Sequence, residues 1–457
     1  MATGTPPPQF TRLLDADEFR RQGHQVVDFI ADYYTHMDEY PVHPSVTPGF
    51  LRRQLPVDAP LRPEPNAFSA ALQDVRDLIL PGMTHWQSPR HFAHFPASSS
   101  VVGALGEALT AGINVVPFTW AASPAATELE MVVVDWLGKA LHLPERFLFR
   151  GGGGGTLLGT SCEAMLCALV AARDRKLAEI GGRRIGDLVA DVDAGLVPMF
   201  LCATTTAIDP IRELCAVAAT HDIWVHVDAA YVGAALICPE FTHVIDGADV
   251  ADSFSMNPHK WLPANNDCCA LWVKKPSLSL LIAALGTEPE YILKDAAADG
   301  VDVVDYKDWS VTLTRRFRAL KMRLVLRCYG VEGLRDHVRA HLRMAALFES
   351  MVKLDPRFEV VVKRQFALVC FRLLSPEKCG GEKKANELNR RLLEEVNAAD
   401  SGPYMSSAKV AGIYMLRCAI GSTLTEERHV RDAWKVVQDR AASLLRKTEI
   451  TYSMAAS

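Results

Sequence analysis

Residues 223–231 read Ile-Trp-Val-His-Val-Asp-Ala-Ala-Tyr, a β-branched and aromatic run that ends on a carboxylate. Such a run is a strand signature, and open α/β sheets gather ligands beyond the carboxyl ends of their strands, which marks Asp228 as a candidate ligand group. A strand-end aspartate also serves as an ordinary cap, so alone it decides no chemistry. Outward from it, between about Trp86 and about Ser350, short apolar stretches such as 197–202 and 223–227 alternate with helical ones such as 163–173. That alternation predicts a mostly parallel α/β sheet in a large domain over 86–350. The last hundred residues, with candidate strands at 358–362, 367–373 and 412–418 and a helix over 425–445, suit a smaller α+β domain, 351–457. Residues 1–85 read as helices joined by a proline-rich stretch at 54–65. Such helices cannot bury both faces alone and are expected to pack on a second subunit or on the main domain.

The 457 residues are 49% hydrophobic and 23% charged, the proportions of a folded soluble protein rather than a disordered or fibrous one. With a formal net charge of -5 the chain offers no basic field to nucleic acid or to an anionic membrane, so a small-molecule partner is expected. Apolar runs such as 278–285 are too short to cross a bilayer, and the first ten residues lack the basic and apolar parts of a secretory signal. A cytoplasmic location is therefore expected. The 11 cysteines are odd in number and include no Cys-x-x-Cys pair, which argues for reduced thiols. His91 and His94 are three apart without an acidic or cysteine partner nearby in sequence, and no metal site is expected.

Downstream, Ser253-Phe254-Ser255-Met256-Asn257-Pro258-His259-Lys260-Trp261 places a lysine directly after a histidine, in a stretch that reads as too polar for a core strand and too short for a surface helix. A lysine and an aspartate are together what pyridoxal 5'-phosphate chemistry asks of a protein. The amine forms a Schiff base with the cofactor aldehyde, and the carboxylate keeps the pyridine nitrogen protonated so that the ring withdraws electrons. A lone lysine is usually a solvated charge, so the pair carries the signal. A third element, Gly151 to Gly155 followed by Gly159-Thr160-Ser161-Cys162-Glu163-Ala164, leads into the predicted helix. Glycines permit close backbone approach and a helix start offers N–H groups to a phosphate, yet a glycine run reads equally as a flexible linker.

These motifs stand in order with Phe118-Thr119-Trp120-Ala121-Ala122-Ser123-Pro124-Ala125, Thr127-Glu128-Leu129-Glu130 and Asp305-Tyr306-Lys307-Asp308-Trp309. The series resembles that of the aromatic L-amino-acid decarboxylase family (group II pyridoxal-phosphate-dependent decarboxylases), above all plant tyrosine and tryptophan decarboxylases. The resemblance runs from about Phe19 to about Leu445. It implies a homodimer of fold type I, aspartate aminotransferase-like, that decarboxylates tyrosine, dopa or tryptophan to the amine. It further implies that Lys260 carries the cofactor, that Asp228 pairs with the ring nitrogen and that Ala230 packs on the ring. Ser161, Cys162, Ser253, Asn257 and His259 match positions that hold the phosphate or line its site. Trp86, His94, Phe95, Pro96 and Phe118 match the aromatic substrate pocket, partly across the dimer interface, although such residues also serve as plain core packing. Tyr306 matches a tyrosine of the mobile catalytic loop that acts as general acid once carbon dioxide has left. Relatives with phenylalanine there resemble aldehyde synthases, so its hydroxyl implies amine rather than aldehyde.

The chain departs from that pattern in places. The stretch between residues 185 and 206 is much shorter than in the family, no histidine lies between Cys162 and His221 to stack on the cofactor ring, and the loop at 202–207 is cut short. Loss of a central strand is expected to expose unpaired backbone groups, each costing about 1–3 kcal/mol when buried. A catalytically impaired, truncated form is thus a second reading beside the decarboxylase and the aldehyde synthase. Cys328 stands where relatives carry Ser or Gly at a position linked to the choice between phenolic and indolic substrates, and its size leans toward tyrosine or dopa. Arg323 replaces the tryptophan usual in relatives, a change the sequence does not explain.

Overall fold

The computed structural model describes residues 13–62, 66–179, 196–200, 205–286, 303–375, 381–399 and 402–455. Its strands are β1 (His91–Phe92), β2 (Gly154–Leu158), β3 (Leu196–Phe200), β4 (Trp224–Asp228), β5 (Ser253–Met256), β6 (Cys269–Val273), β7 (Phe358–Val360), β8 (Leu368–Leu373), β9 (Tyr404–Val410) and β10 (Ile413–Ala419). The helices are α1 (Ala16–Thr35), α2 (Ala67–Asp74), α3 (Val101–Ile113), α4 (Pro124–Ala140), α5 (Ser161–Glu179), α6 (Ile211–Thr220), α7 (Pro258–Trp261), α8 (Ser277–Leu285), α9 (Arg318–Leu354), α10 (Gly381–Asn397) and α11 (Glu427–Ala455). Helix α9 is broken at Gly330, whose φ of 63° no helix accommodates.

The large sheet has the order β2-β6-β5-β4-β3. Strands β3, β4 and β5 are mutually parallel and β6 runs against both β5 and β2, so β2, β4 and β5 point the same way and their carboxyl ends share one edge. Strands β2, β4, β5 and β6 are buried along their whole length, as expected of a sheet covered on both faces. The expectation that 253–261 is too polar for a core strand is corrected by the partners of its hydroxyls. Ser253 Oγ takes the Trp224 indole N–H (2.9 Å) and lies 2.8 Å from His226 Nδ1, while Ser255 Oγ meets His226 Nε2 at 3.1 Å. Paired hydroxyls are tolerated inside, which frees 253–256 to be β5 and leaves 258–261 as a single helical turn.

The glycine run is neither a linker nor a phosphate loop. Gly154 and Gly155 open strand β2, where a Cβ would stand 2.6 Å from the Trp309 ring in one case and 2.4 Å from a Val134 methyl in the other. Strand β2 lies at the end of the sheet, and its outward polar groups need partners. Tyr306 Oη donates to the Gly155 carbonyl (3.1 Å), Leu157 N–H donates to Glu130 Oε1 (2.8 Å), and the Arg315 guanidinium donates to the Leu157 carbonyl (3.3 Å). Arg315 and Glu130 pair at 2.5 Å with at most 1% of either side chain exposed, and Thr156 Oγ1 joins them.

Among the described residues the five strands pair without interruption, and β3, which follows the shortened stretch, takes the outer place beside β4.

A second sheet, β1-β9-β10-β8-β7, is antiparallel except for β1, which pairs with β9 in parallel through His91↔Tyr404 and Phe92↔Met405. Residues just past 85 thus belong to the C-terminal sheet, so a cut near 86 does not separate the two sheets. At the other end, Asp15 caps α1 by accepting from the N–H groups of Asp17 (3.0 Å) and Glu18 (2.9 Å). No α1 residue is buried in the single chain. On α3 the residues Val101, Leu105, Leu109 and Ile113, four apart on one face, are each about half exposed or more. Among the described residues no helix is long and apolar enough to cross a membrane.

Removing one partner of a buried ion pair strands the other charge, and Arg315→Met is expected to lower stability by about 3–5 kcal/mol. Urea unfolding of the variant beside the parent chain measures this directly.

Candidate active site

The shared carboxyl edge of β2, β4 and β5 delivers three groups to one place. Strand β4 ends on Asp228, whose Oδ1 accepts from the Ala230 N–H at 2.9 Å. Strand β5 passes through Asn257 into α7, which carries Lys260, and the Asn257 N–H donates to the Ala230 carbonyl (3.2 Å). Strand β2 passes through Gly159 and Thr160 into α5. There Thr160 Oγ1 accepts from Glu163 N–H (3.3 Å) and Glu163 Oε2 accepts from Gly159 N–H (2.9 Å), a reciprocal cap. Ser161, at the start of that helix, donates its hydroxyl to Asn257 Oδ1 (2.9 Å). Burial pushes the Asp228 carboxyl up from its ordinary value, opposed by the Ala230 N–H and by the charge of Lys260.

Phe95 and Pro96 lie beside this centre. The Phe95 centroid is 5.5 Å from Lys260 Nζ and 5.2 Å from the Arg417 guanidinium, and its ring stacks on Tyr231 at 4.4 Å. Tyr231 in turn stacks on Trp261 at 4.7 Å. Trp86 stacks on His91 and His94, with centroids 4.7 and 5.5 Å away, and Trp86 and His94 are both exposed in the single chain. Pro96 is buried, Ala230 and Phe118 are half-buried, and Cys162 is exposed at the start of α5.

Other expected positions come out differently. Ser253 is fully buried in the Trp224–His226 network at the start of β5. The His259 ring is held by the Cys268 N–H, which donates to Nδ1 at 2.9 Å. Cys328 is exposed on α9, two residues before the break at Gly330. Tyr306 is fully buried in the single chain, with its hydroxyl on the Gly155 carbonyl and the Arg315 guanidinium 4.5 Å above its ring, and burial pushes the phenol well above its ordinary value.

Ser98 was missed by sequence reasoning. Its N–H and hydroxyl both reach the Lys260 carbonyl (3.2 and 3.1 Å), and the hydroxyl also reaches the Gly421 carbonyl (2.7 Å), tying α7 to the C-terminal region. A serine among three, at 98–100, carries no local signal of that role. The structure also accounts for Arg323, whose guanidinium lies 4.6 Å over the half-exposed Trp136 ring.

The pyridoxal-dependent decarboxylase conserved domain matches residues 48–186 and 184–374. The chain belongs to the pyridoxal-dependent decarboxylase family. The tyrosine decarboxylase of Oryza sativa subsp. japonica is 71% identical over 507 aligned positions, which cover 97% of this chain and 95% of that one. A phenylacetaldehyde synthase of a Rosa hybrid cultivar is 49% identical over 495 positions, 96% of each chain. The crystal structure of Oryza sativa TDC with PLP and tryptamine superposes with a TM-score of 0.88 at 40% identity, over 95% of this chain and 99% of that one. Both alignments to sequence relatives have more positions than this pyridoxal-dependent decarboxylase has residues, and its family match breaks at 184–186. The relatives therefore carry a segment that this chain lacks at the shortened stretch.

The residues present fit the family's cofactor. A buried carboxyl with one N–H partner suits a cationic ring nitrogen, a lysine stands close enough to sense that carboxyl, and the first turn of an α-helix offers N–H groups that lack intrahelical acceptors.

Burial also pushes the imidazoles of His91, His226, His259 and His337 down to about 4. An unfolded chain protonates these rings from about pH 6.5 downward, so unfolding takes up protons between about pH 6.5 and 4 and stability falls as pH drops through that window. Thermal unfolding is expected to show a Tm that declines steadily from about pH 7 to about pH 5, with up to about 2 kcal/mol lost per ring at the lower end.

Proposed function

We propose that this chain binds pyridoxal 5'-phosphate on Lys260 and decarboxylates an aromatic L-amino acid, tyrosine or dopa ahead of tryptophan, to its amine. The observation that carries the reading is the Lys260 amine set over the Phe95 ring beside the buried Asp228 carboxyl. When bound, the cofactor supplies the electron-withdrawing ring that makes loss of carbon dioxide feasible. Asp228 holds a proton on the ring nitrogen, Ala230 packs against the ring, and Ser161, Cys162 and Asn257 receive the phosphate at the start of α5. Phe95, Pro96 and Trp86 hold the substrate's aromatic ring, and the Tyr231–Trp261 stack behind Phe95 keeps that wall dry. The preference for a phenol rests on the 71% identical tyrosine decarboxylase and on Cys328.

A homodimer is part of the same reading. The half-exposed apolar face of α3, the unburied α1, and the exposed Trp86 and His94 all gain cover from a second copy.

The general acid of this reading is Tyr306, the residue to which the resemblance gives that role, whose hydroxyl rests on the Gly155 carbonyl in the single chain. The aldehyde synthase reading is favoured by the Rosa relative, and the impaired reading by the broken family match.

Visible absorption of the purified chain with added cofactor is expected to show a band that disappears in Lys260→Ala. With L-tyrosine, the product is expected to be tyramine and carbon dioxide. Hydrogen peroxide and aldehyde in place of amine mark the synthase, and no band in folded protein marks the impaired form. Tyr306→Phe is expected to lose amine formation by at least about a hundredfold, the scale of a lost general acid, and to destabilise the chain by about 1–3 kcal/mol, since it leaves the Gly155 carbonyl unpaired.

A further inference from the structure

Helix α7, which carries Lys260, is a single turn of four residues and too short to hold its own shape. Other elements hold it by consecutive carbonyls. Ser98 donates to that of Lys260, and His337 Nε2 on α9 donates to that of Trp261 at 3.0 Å. The next turn of α9 brings His341 to the same place, fully enclosed. Its Nδ1 accepts from the Trp261 indole N–H at 3.0 Å, and its Nε2 donates to the Ser422 carbonyl at 3.2 Å. An indole nitrogen only donates and a carbonyl only accepts, so the two partners fix His341 as the neutral tautomer with its proton on Nε2. Burial keeps that ring neutral by pushing its pKa well below the ordinary value.

The Trp261 indole is the far end of a stack that reaches the lysine. Trp261 lies on Tyr231 with the planes 17° apart, Tyr231 lies on Phe95 with the planes 25° apart, and the Phe95 centroid stands 5.5 Å from Lys260 Nζ. Stacking leaves rings free to slide and turn in their planes, whereas a hydrogen bond is directional. The indole has one polar atom, and His341 holds it.

We infer that His341 is a positioning residue that fixes the Trp261 indole and, through the stack, sets where Phe95 stands beside the Lys260 amine. The inference rests on the reading of Lys260 as the cofactor lysine and of Phe95 as a wall of the substrate pocket. His341 touches no reacting atom. Close-packed rings have no free space in which to absorb a tilt, so Tyr231 and Phe95 follow the indole. A displaced wall loosens the grip on the substrate ring, and the loss falls mainly on KM.

Variants of the holoenzyme separate the two bonds of His341. Asparagine sets its amide oxygen near the place of Nδ1 and keeps an acceptor for the indole, glutamine reaches the place of Nε2 and keeps a donor for Ser422, and leucine keeps neither. His341→Leu and His341→Gln are each expected to raise KM for L-tyrosine by about fivefold or more and to change the circular dichroism of the cofactor band, while His341→Asn restores both toward the parent. Trp261→Phe, which keeps a ring to stack but removes the N–H, is expected to reproduce the rise in KM, and His341→Leu is expected to add little on top of it. If His341→Leu does not fold, His341→Asn, His341→Gln and Trp261→Phe carry the comparison. Rescue by glutamine and not by asparagine, or a parent-like KM and dichroism in both His341→Gln and Trp261→Phe, overturns the inference and leaves the cofactor reading in place. A parent chain without a cofactor band overturns that reading, and the inference with it.

Discussion

The buried pair between Glu130 and Arg315 is the constraint on which the rest is built. A sheet whose end strand opens on two glycines has little side-chain mass there to shield its outer backbone groups, and unpaired N–H and C=O groups are costly once helices cover them. Glu130 from α4 and Arg315 from the segment before α9 meet each other and the backbone of Leu157 at once. That single junction closes the sheet's end, docks α4, and anchors the 303–317 stretch. Two buried charges are tolerable because each is multiply bonded, with Thr156 and the Pro117 carbonyl completing the set.

From that closed end the sheet directs chemistry to one edge. The antiparallel β6 separates β2 from β5 and so turns β2 into the same sense as β4 and β5. Ser161, Asp228 and Lys260, separated by up to about a hundred residues of chain, then emerge side by side. The buried His226 acts as a pillar between β4 and β5, holding two serines of the neighbouring strand and keeping in register the strands that carry Asp228 and Lys260. Phe95 reaches the same place from an entirely different element, held near Lys260 by the bonds of Ser98.

The shortened stretch is compatible with this arrangement because of where it falls. Strands β2, β6, β5 and β4 complete the carboxyl edge that bears Ser161, Lys260 and Asp228 without calling on residues between 180 and 195. Among the described strands, β3 is the outer one beside β4. A central deletion would have separated the aspartate from the lysine.

What the sequence determined by itself was the α/β class and the family, together with the candidate lysine and aspartate, because each rests on local patterns. A β-branched run ending in Asp228, a His-Lys-Trp turn and a series of ordered motifs are all legible within about ten residues. Only the tertiary structure decided which polar residues face inward and what they meet there. The type and spacing of Ser253 and Tyr306 do not disclose that one meets His226 and the other the Gly155 carbonyl. The glycine run looked like a loop, and became a strand because Trp309 and Val134 occupy the space its side chains would need. Partners of that kind lie tens to hundreds of residues away along the chain, and hydrogen bonding and packing, being short-ranged in space, leave no mark on the local sequence that would disclose them.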